Sequence, residues 1–249
     1  MQTVYESTTD GMLDYLATIY RLSGAADGAL NKITTTRVAE KMQVSAAAVS
    51  SMLKRLEALG FVQRSGVDGV KLEPQGRLAA LQLIRRHRLL EVFLMQIMKF
   101  SWDQVDVESH RLEHAISMGF VERMDALCGY PTHCPHGDPI PTKEGYMPYE
   151  KLIPLSELRV HQAGYLWRIA TDDTHVLRYL GQQKLIPGQK ITVLAMAPFK
   201  GPITILVGDS GDAVDAAGDS TQVLGAELAT LLHMTLDKTP EDMRSGWRA

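Results

Sequence analysis

A mainly α-helical chain with a small β domain is what this sequence predicts, and three observations predict it. Two short helical runs joined by a tight turn and followed by a strand pair lie near the start. Two long helical stretches rich in His, Glu and Asp come next. Past a proline-rich stretch that ends near Arg159, the apolar pattern shortens to β-type runs between Gly and Pro turns. At 249 residues, 45% hydrophobic and 22% charged, the composition is that of a globular protein with room for two or three small domains.

In chain order, DGMLDYLATIYRL (10–22) reads as an amphipathic helix with Leu13, Leu16, Ile19 and Tyr20 on its buried face. SGAADGALN is a loop. TTTRVAEKM makes a short helix with a threonine N-cap, Gln43-Val44-Ser45 a tight turn, and Ser45 caps AAAVSSMLKRLEALG, which Gly60 stops. Phe61–Arg64 and Val70–Leu72 read as short strands around the turn at 65–69, the wing that follows such a helix pair. Residues 1–76 are therefore expected to form a winged helix-turn-helix. Its second helix would present Ser45, Ala47, Ser50 and Ser51 to a major groove, with Thr35, Thr36, Arg37, Lys54 and Arg55 near phosphates.

A long helix is expected from Arg77 to about Phe100 and another from about Val105 to Leu127, together a dimerising unit. Prolines 131, 135, 139, 141, 148 and 154 mark an extended connector, so the helical domain spans 77–159. From 160 to 236, LWRIA, KITVLAM and PITILVGD read as strands and HVLRYLGQQK as a short helix, the pattern of a small β-barrel. Residues 237–249 are polar, lack periodicity and read as a tail.

Charge and cysteine usage narrow the function classes. The chain carries −3 overall, yet residues 30–90 hold eleven Lys or Arg against four acids. A basic front module joined to acidic ones suits contact with phosphates in front and cations behind. The apolar runs are short and charge-interrupted and MQTVYESTTDGM has no signal-peptide pattern, so a cytoplasmic protein with no membrane span is expected. With Cys128 and Cys134 as the cysteines, a structural disulfide is not expected; Cys128 reads as core and Cys134 as a ligand.

The metal-ligand residues fall in three clusters. HRLEH places His110, Glu113 and His114 at i, i+3 and i+4, one face of a helix. RRHRLLE places His87 and Glu91 at i and i+4, and THCPHGDP holds Cys134 and His136 around a proline. HRLEH has a second reading as an inverted zinc-peptidase motif, with both histidines on Zn²⁺ and Glu113 as general base. That reading needs a substrate cleft and leaves the winged helix unexplained.

DYLATIYRL, RRHRLLEVFL, RLEH, FVERMDALCGYPTHCPHGDPIP and YLWRIATDDTHVLRYL together resemble the diphtheria-toxin-repressor family of metal-dependent transcriptional repressors, its manganese-sensing members most of all. The resemblance covers nearly the whole chain and implies an SH3-like barrel at the C-terminus. It further implies a homodimer that binds a palindromic double-stranded operator when metal is plentiful and represses metal-uptake genes. One metal site would draw on Asp14, His87, His110, Glu113 and His114; a second on Glu91, Cys134, His136 and Asp172. The family has a carboxylate or a cysteine where this chain has His110. Carboxylate and imidazole donors suit Mn²⁺ or Fe²⁺; Mn²⁺ is the first expectation and Fe²⁺ the next, with Zn²⁺ or Co²⁺ able to substitute in vitro.

Overall fold

A computed structural model describes residues 8–24, 31–65, 69–208, 220–239 and 242. The wing tip at 66–68 and most of the expected tail lie outside them. The chain divides into two compact units. One comprises Met1–His87, Glu113–Ile116 and Ile140–Glu150, the other Arg88–Leu112, Ser117–Pro139 and Lys151–Ala249.

In the first unit, helix α1 (Asp10–Leu22) runs where the apolar period puts it, and Leu13, Leu16, Ile19 and Tyr20 are buried. Helix α2 (Thr35–Met42) begins at Thr34, whose hydroxyl accepts from the Arg37 N–H. It ends at Gln43, which adopts the left-handed conformation with φ of 55° and turns the chain within two residues. Helix α3 (Ala46–Ala58) is capped by Ser45, which accepts from the Ala48 N–H. Val49, Leu53 and Leu56 of α3 share one core with α1, with Val38 and with Ala79, Ala80, Leu81 and Ile84. Each leucine so buried contributes about 2 kcal/mol.

Strands β1 (Val62–Ser65) and β2 (Gly69–Leu72) pair antiparallel. The wing is tied to the segment before α2 and to α3. The Val70 N–H donates to the Ile33 carbonyl at 3.0 Å, and the Arg64 N–H donates to Glu57 Oε1 of α3 at 3.1 Å. Gly69, at φ +78°, lies where a Cβ would meet the Ile33 carbonyl oxygen at 2.2 Å, so only glycine lets β2 approach this closely.

Helix α4 (Pro74–Gln96) starts three residues before the expected Arg77, with proline in the first position where its missing N–H costs nothing. It also stops short of Phe100. The expected second long helix is two: α5 (Val105–Leu112) and α6 (Met118–Leu127). The break has a local cause, since the Ser117 side chain accepts from the Phe120 N–H and starts a new helix there. This corrects the expectation that HRLEH lies on one helix face.

The second unit carries a six-stranded antiparallel sheet, order β3-β8-β4-β5-β6-β7. Its strands are β3 (Ile153–Pro154), β4 (Ala163–Ile169), β5 (Lys190–Met196), β6 (Ile203–Val207), β7 (Ser220–Leu224) and β8 (Leu232–Thr235). Helix α7 (Thr174–Gln182) covers the segment read as helical, and a short helix, α8 (Ala226–Leu231), precedes β8. Leu166, Ile169, Leu177, Leu180, Ile191 and Ile205 centre its core. No helix among the described residues is long and apolar enough to cross a membrane.

Candidate metal centre and nucleic-acid interface

Asp14, Glu113 and His114 bring ligand atoms within 4.8 Å of one another. Asp14 lies on α1, while Glu113 and His114 stand in the turn between α5 and α6. His114 Nε2 lies 2.8 Å from Asp14 Oδ1, and its Nδ1 lies 3.5 Å from Asp10 Oδ1. His87, on α4, donates from Nδ1 to Glu113 Oε2 at 3.0 Å and so joins the same set. The Glu113 side chain is 3% exposed. The hydrogen bond to Asp14 raises the His114 imidazole above its ordinary value against the opposing effect of burial, with the charges of Asp14, Glu113 and Asp10 adding to the rise. Two carboxylates and an imidazole with converging ligand atoms, backed by the His87 imidazole on Glu113 and partly shielded from water, fit a small divalent cation in place of those protons.

His110 does not share this set. It ends up exposed on the last turn of α5, and the chain leaves the helix two residues later. Sequence spacing could not show this, because the helix break depends on Ser117 competing successfully as a cap. The peptidase reading fails on the same fact, since it needs both histidines on one continuous helix.

Glu91, Cys134 and His136 form a second group within 4.8 Å, all three buried. His136 Nδ1 lies 3.2 Å from Glu91 Oε1, and Nε2 donates to the Trp102 carbonyl at 2.8 Å. A carbonyl on one ring nitrogen fixes the ring and aims the other at the group, the usual arrangement behind a ligating histidine. Burial pushes the Cys134 thiol up to about 12, and the Glu91 and Asp138 charges add to this against a hydrogen bond with His136. Burial works to lower His136, yet the Glu91 charge and hydrogen bonds with Cys134 and Glu91 lift it well above the ordinary value.

The loop bearing these residues is held by backbone geometry. The Gly137 N–H donates to the Cys134 carbonyl and the Cys134 N–H to the Asp138 carbonyl, both at 2.9 Å. The Ile169 N–H donates to the His136 carbonyl at 2.9 Å, tying the loop to β4. Gly137 has φ +87°, and a Cβ there would fall 1.9 Å from the Trp167 carbonyl oxygen. Asp172 is exposed and is not among the residues gathered with Glu91. Its neighbour Asp173 caps α7 by accepting from the His175 and Val176 N–H groups.

Cys128 is buried as expected for a core residue, and His133 is satisfied by the Thr132 hydroxyl at 2.9 Å and an edge contact with Trp167. Of the candidate DNA-contacting residues, Thr36, Arg37, Ser45, Ala47, Ser51, Lys54 and Arg55 are exposed, whereas Thr35 and Ser50 are half-buried. Arg37 also donates to the Lys32 carbonyl at 3.2 Å. Gln43 and Val44, exposed at the turn before α3, were not singled out by sequence and share this exposed run with Ser45.

Comparison with known proteins places these features together. Residues 7–70 match the family described as iron dependent repressor, N-terminal DNA binding domain. Residues 73–142 match iron dependent repressor, metal binding and dimerisation domain, and residues 153–217 match the FeoA domain. The iron-dependent repressor IdeR of Mycobacterium leprae is 28% identical over 191 residues, 72% of this chain and 81% of that protein. IdeR of Mycobacterium tuberculosis is 33% identical over 127 residues, 51% of this chain and 54% of that protein. A manganese-dependent transcriptional repressor solved in complex with manganese superposes with a TM-score of 0.79 at 34% identity, covering 90% of this chain and 98% of its own. ScaR with bound Cd²⁺ superposes with a TM-score of 0.72 at 32% identity, covering 90% and 98%.

Proposed function

Since the chain belongs to the iron-dependent repressor family, the metal-dependent DNA-binding repressors that include the diphtheria toxin repressor, and is not an enzyme, we propose that it senses Mn²⁺, or Fe²⁺ in its place, and represses metal-uptake genes in the cytoplasm. It acts as a homodimer on a palindromic operator. The proposed organisation is a DNA-binding domain over 1–76, a dimerisation and metal domain over 77–159 and an SH3-like domain over 160–236.

The observation that carries this reading is Asp14. It is the donor of the first set that sits on α1, and α1 shares its core with the recognition helix α3. Asp14, His87, Glu113 and His114 are the proposed regulatory ligands. The bound cation supplies positive charge that offsets the mutual repulsion of the Asp14 and Glu113 carboxylates. With Asp14 held against Glu113 and His114, α1 and the core it shares with α3 take up one placement. The DNA-competent geometry then gains population in proportion to that difference in binding free energy.

The donor set supports manganese or iron by its chemistry, because carboxylate oxygen and imidazole nitrogen without thiolate suit these ions. Glu91, Cys134 and His136 are proposed as a second, stabilising site. Its thiolate donor also accepts zinc or cobalt, so both ions are expected to substitute in vitro.

The test is selection of sheared genomic DNA by the purified protein, with Mn²⁺ and with chelator, followed by sequencing. Palindromic fragments upstream of metal-transport genes, retained only with metal, are expected. Equal retention in both conditions contradicts the coupling, and no retention in either contradicts the DNA-binding role.

A further inference from the structure

Arg86 is a buried arginine next in the chain to the candidate ligand His87, at 5% exposure. Its Nη1 donates to the Glu113 backbone carbonyl at 2.8 Å. Its neighbour His87 holds the carboxylate of the same residue at 3.0 Å. Two adjacent residues of α4 thus grip one glutamate, by its main chain and by its side chain. Glu113 needs such a grip because α5 ends at Leu112 and leaves Glu113 and His114 in a non-helical turn. Beyond the last helical residue the backbone no longer fixes the direction of side chains as a continuing helix does.

We propose that Arg86 is a positioning residue for the first donor set, presenting Glu113 and His114 to Asp14 before a cation arrives; this rests on the reading of those residues as ligands. The guanidinium fork suits the task, because its planar N–H donors hold a carbonyl at fixed geometry and it keeps its charge when buried. The long apolar stem lets that charge reach the turn through the packed interior. Partners one step behind the ligands commonly set metal affinity by tenfold to a hundredfold.

Arg85 is the internal control. It lies one position earlier and also donates to a main-chain carbonyl, that of Pro141 at 2.8 Å in the proline connector.

The experiment measures Mn²⁺ affinity of the full chain by loss of the free-ion electron paramagnetic resonance signal, together with melting temperature in chelator and in Mn²⁺. The first-site constant is the component that Asp14→Ala removes. Arg86→Met is expected to raise that constant by about tenfold or more and to shrink the manganese-induced rise in melting temperature. Arg86→Lys, which keeps charge but not the fork, is expected to fall between Arg86→Met and the parent, and Arg85→Met to stay within about twofold of the parent. If Arg86→Met does not fold, Arg86→Lys decides alone. A lower melting temperature in chelator with an unchanged constant and an unchanged manganese increment overturns the positioning role. If Asp14→Ala itself removes no component, the ligand assignment fails, and the role of Arg86 fails with it.

Discussion

The two donor groups solve different physical problems. The first gathers Asp14, His87, Glu113 and His114 from α1, α4 and a turn, and Asp14 keeps 31% of its side chain in water. The second buries all three of Glu91, Cys134 and His136, two of them separated by a single proline on a loop pinned to β4. A group assembled from separate segments gains order when a cation holds it, so its occupancy can be transmitted. A group already fixed by backbone hydrogen bonds has little order left to gain. We therefore propose regulation for the first and stability for the second.

The largest expected effect breaks the comparison directly. Asp14→Ala or His114→Ala is expected to remove a metal-stimulated gain in DNA affinity of about 5- to 150-fold while the protein stays folded. Cys134→Ser is expected to keep most of that gain, read by titration of retained operator DNA in Mn²⁺ and in chelator. Equal losses from both groups would erase the distinction.

Next in size is Gly137→Ala. The added methyl meets the Trp167 carbonyl and strains a backbone at φ +87°, at a cost of about 2 kcal/mol. Urea unfolding measures the loss, and the first-site manganese constant is expected to be unmoved.

The pH dependence sharpens the contrast further. His114 is raised by its hydrogen bond to Asp14, so in the metal-free protein the stabilisation it brings is complete below its unfolded value of about 6.5. That stabilisation is lost as pH rises through the higher folded value. A cation competes with this proton, so first-site affinity is expected to rise with pH, approaching tenfold per unit until the folded value is passed. Manganese titrations between pH 6 and 8 read the slope; a flat profile removes His114 from the ligands. At the second group the Cys134 thiol, pushed up to about 12, keeps its proton across this range. Affinity there is expected to keep climbing.

The smallest effect is Ser117→Ala, which removes the cap of α6 at a cost of about 1 kcal/mol. Thermal melts are expected to show a modest drop in chelator that manganese partly restores.

Much of this was legible in the residues. The limits of α1, the caps Thr34 and Ser45 and the tight turn at Gln43 follow from local rules, and the structure has them at those positions. His87, Glu91, Glu113, His114, Cys134 and His136 were visible as ligand letters at helical or turn spacing, whereas Asp14 and the division into two groups came from the resemblance. What was not legible depends on competition or distance. Within a run that reads as one helix from Val105 to Leu127, α5 ends at Leu112 and Ser117 starts a new helix, so His110 stays on α5 while Glu113 and His114 stand in the turn. Asp172 was assigned by resemblance and stands exposed, while Asp173 beside it serves as a cap. β3, β7 and β8 are two to five residues long, too short for a period-2 pattern to stand out. Arg86 reads from sequence as one more charge in a basic run; only its burial beside Glu113 marks it.

The most direct test takes one operator fragment and measures its affinity for the parent, Asp14→Ala and Glu91→Ala proteins, each in Mn²⁺ and in chelator. The expected result is a manganese-dependent gain in the parent, a reduced but present gain in Glu91→Ala and none in Asp14→Ala. A full gain in Asp14→Ala contradicts the assignment of regulation to the first group.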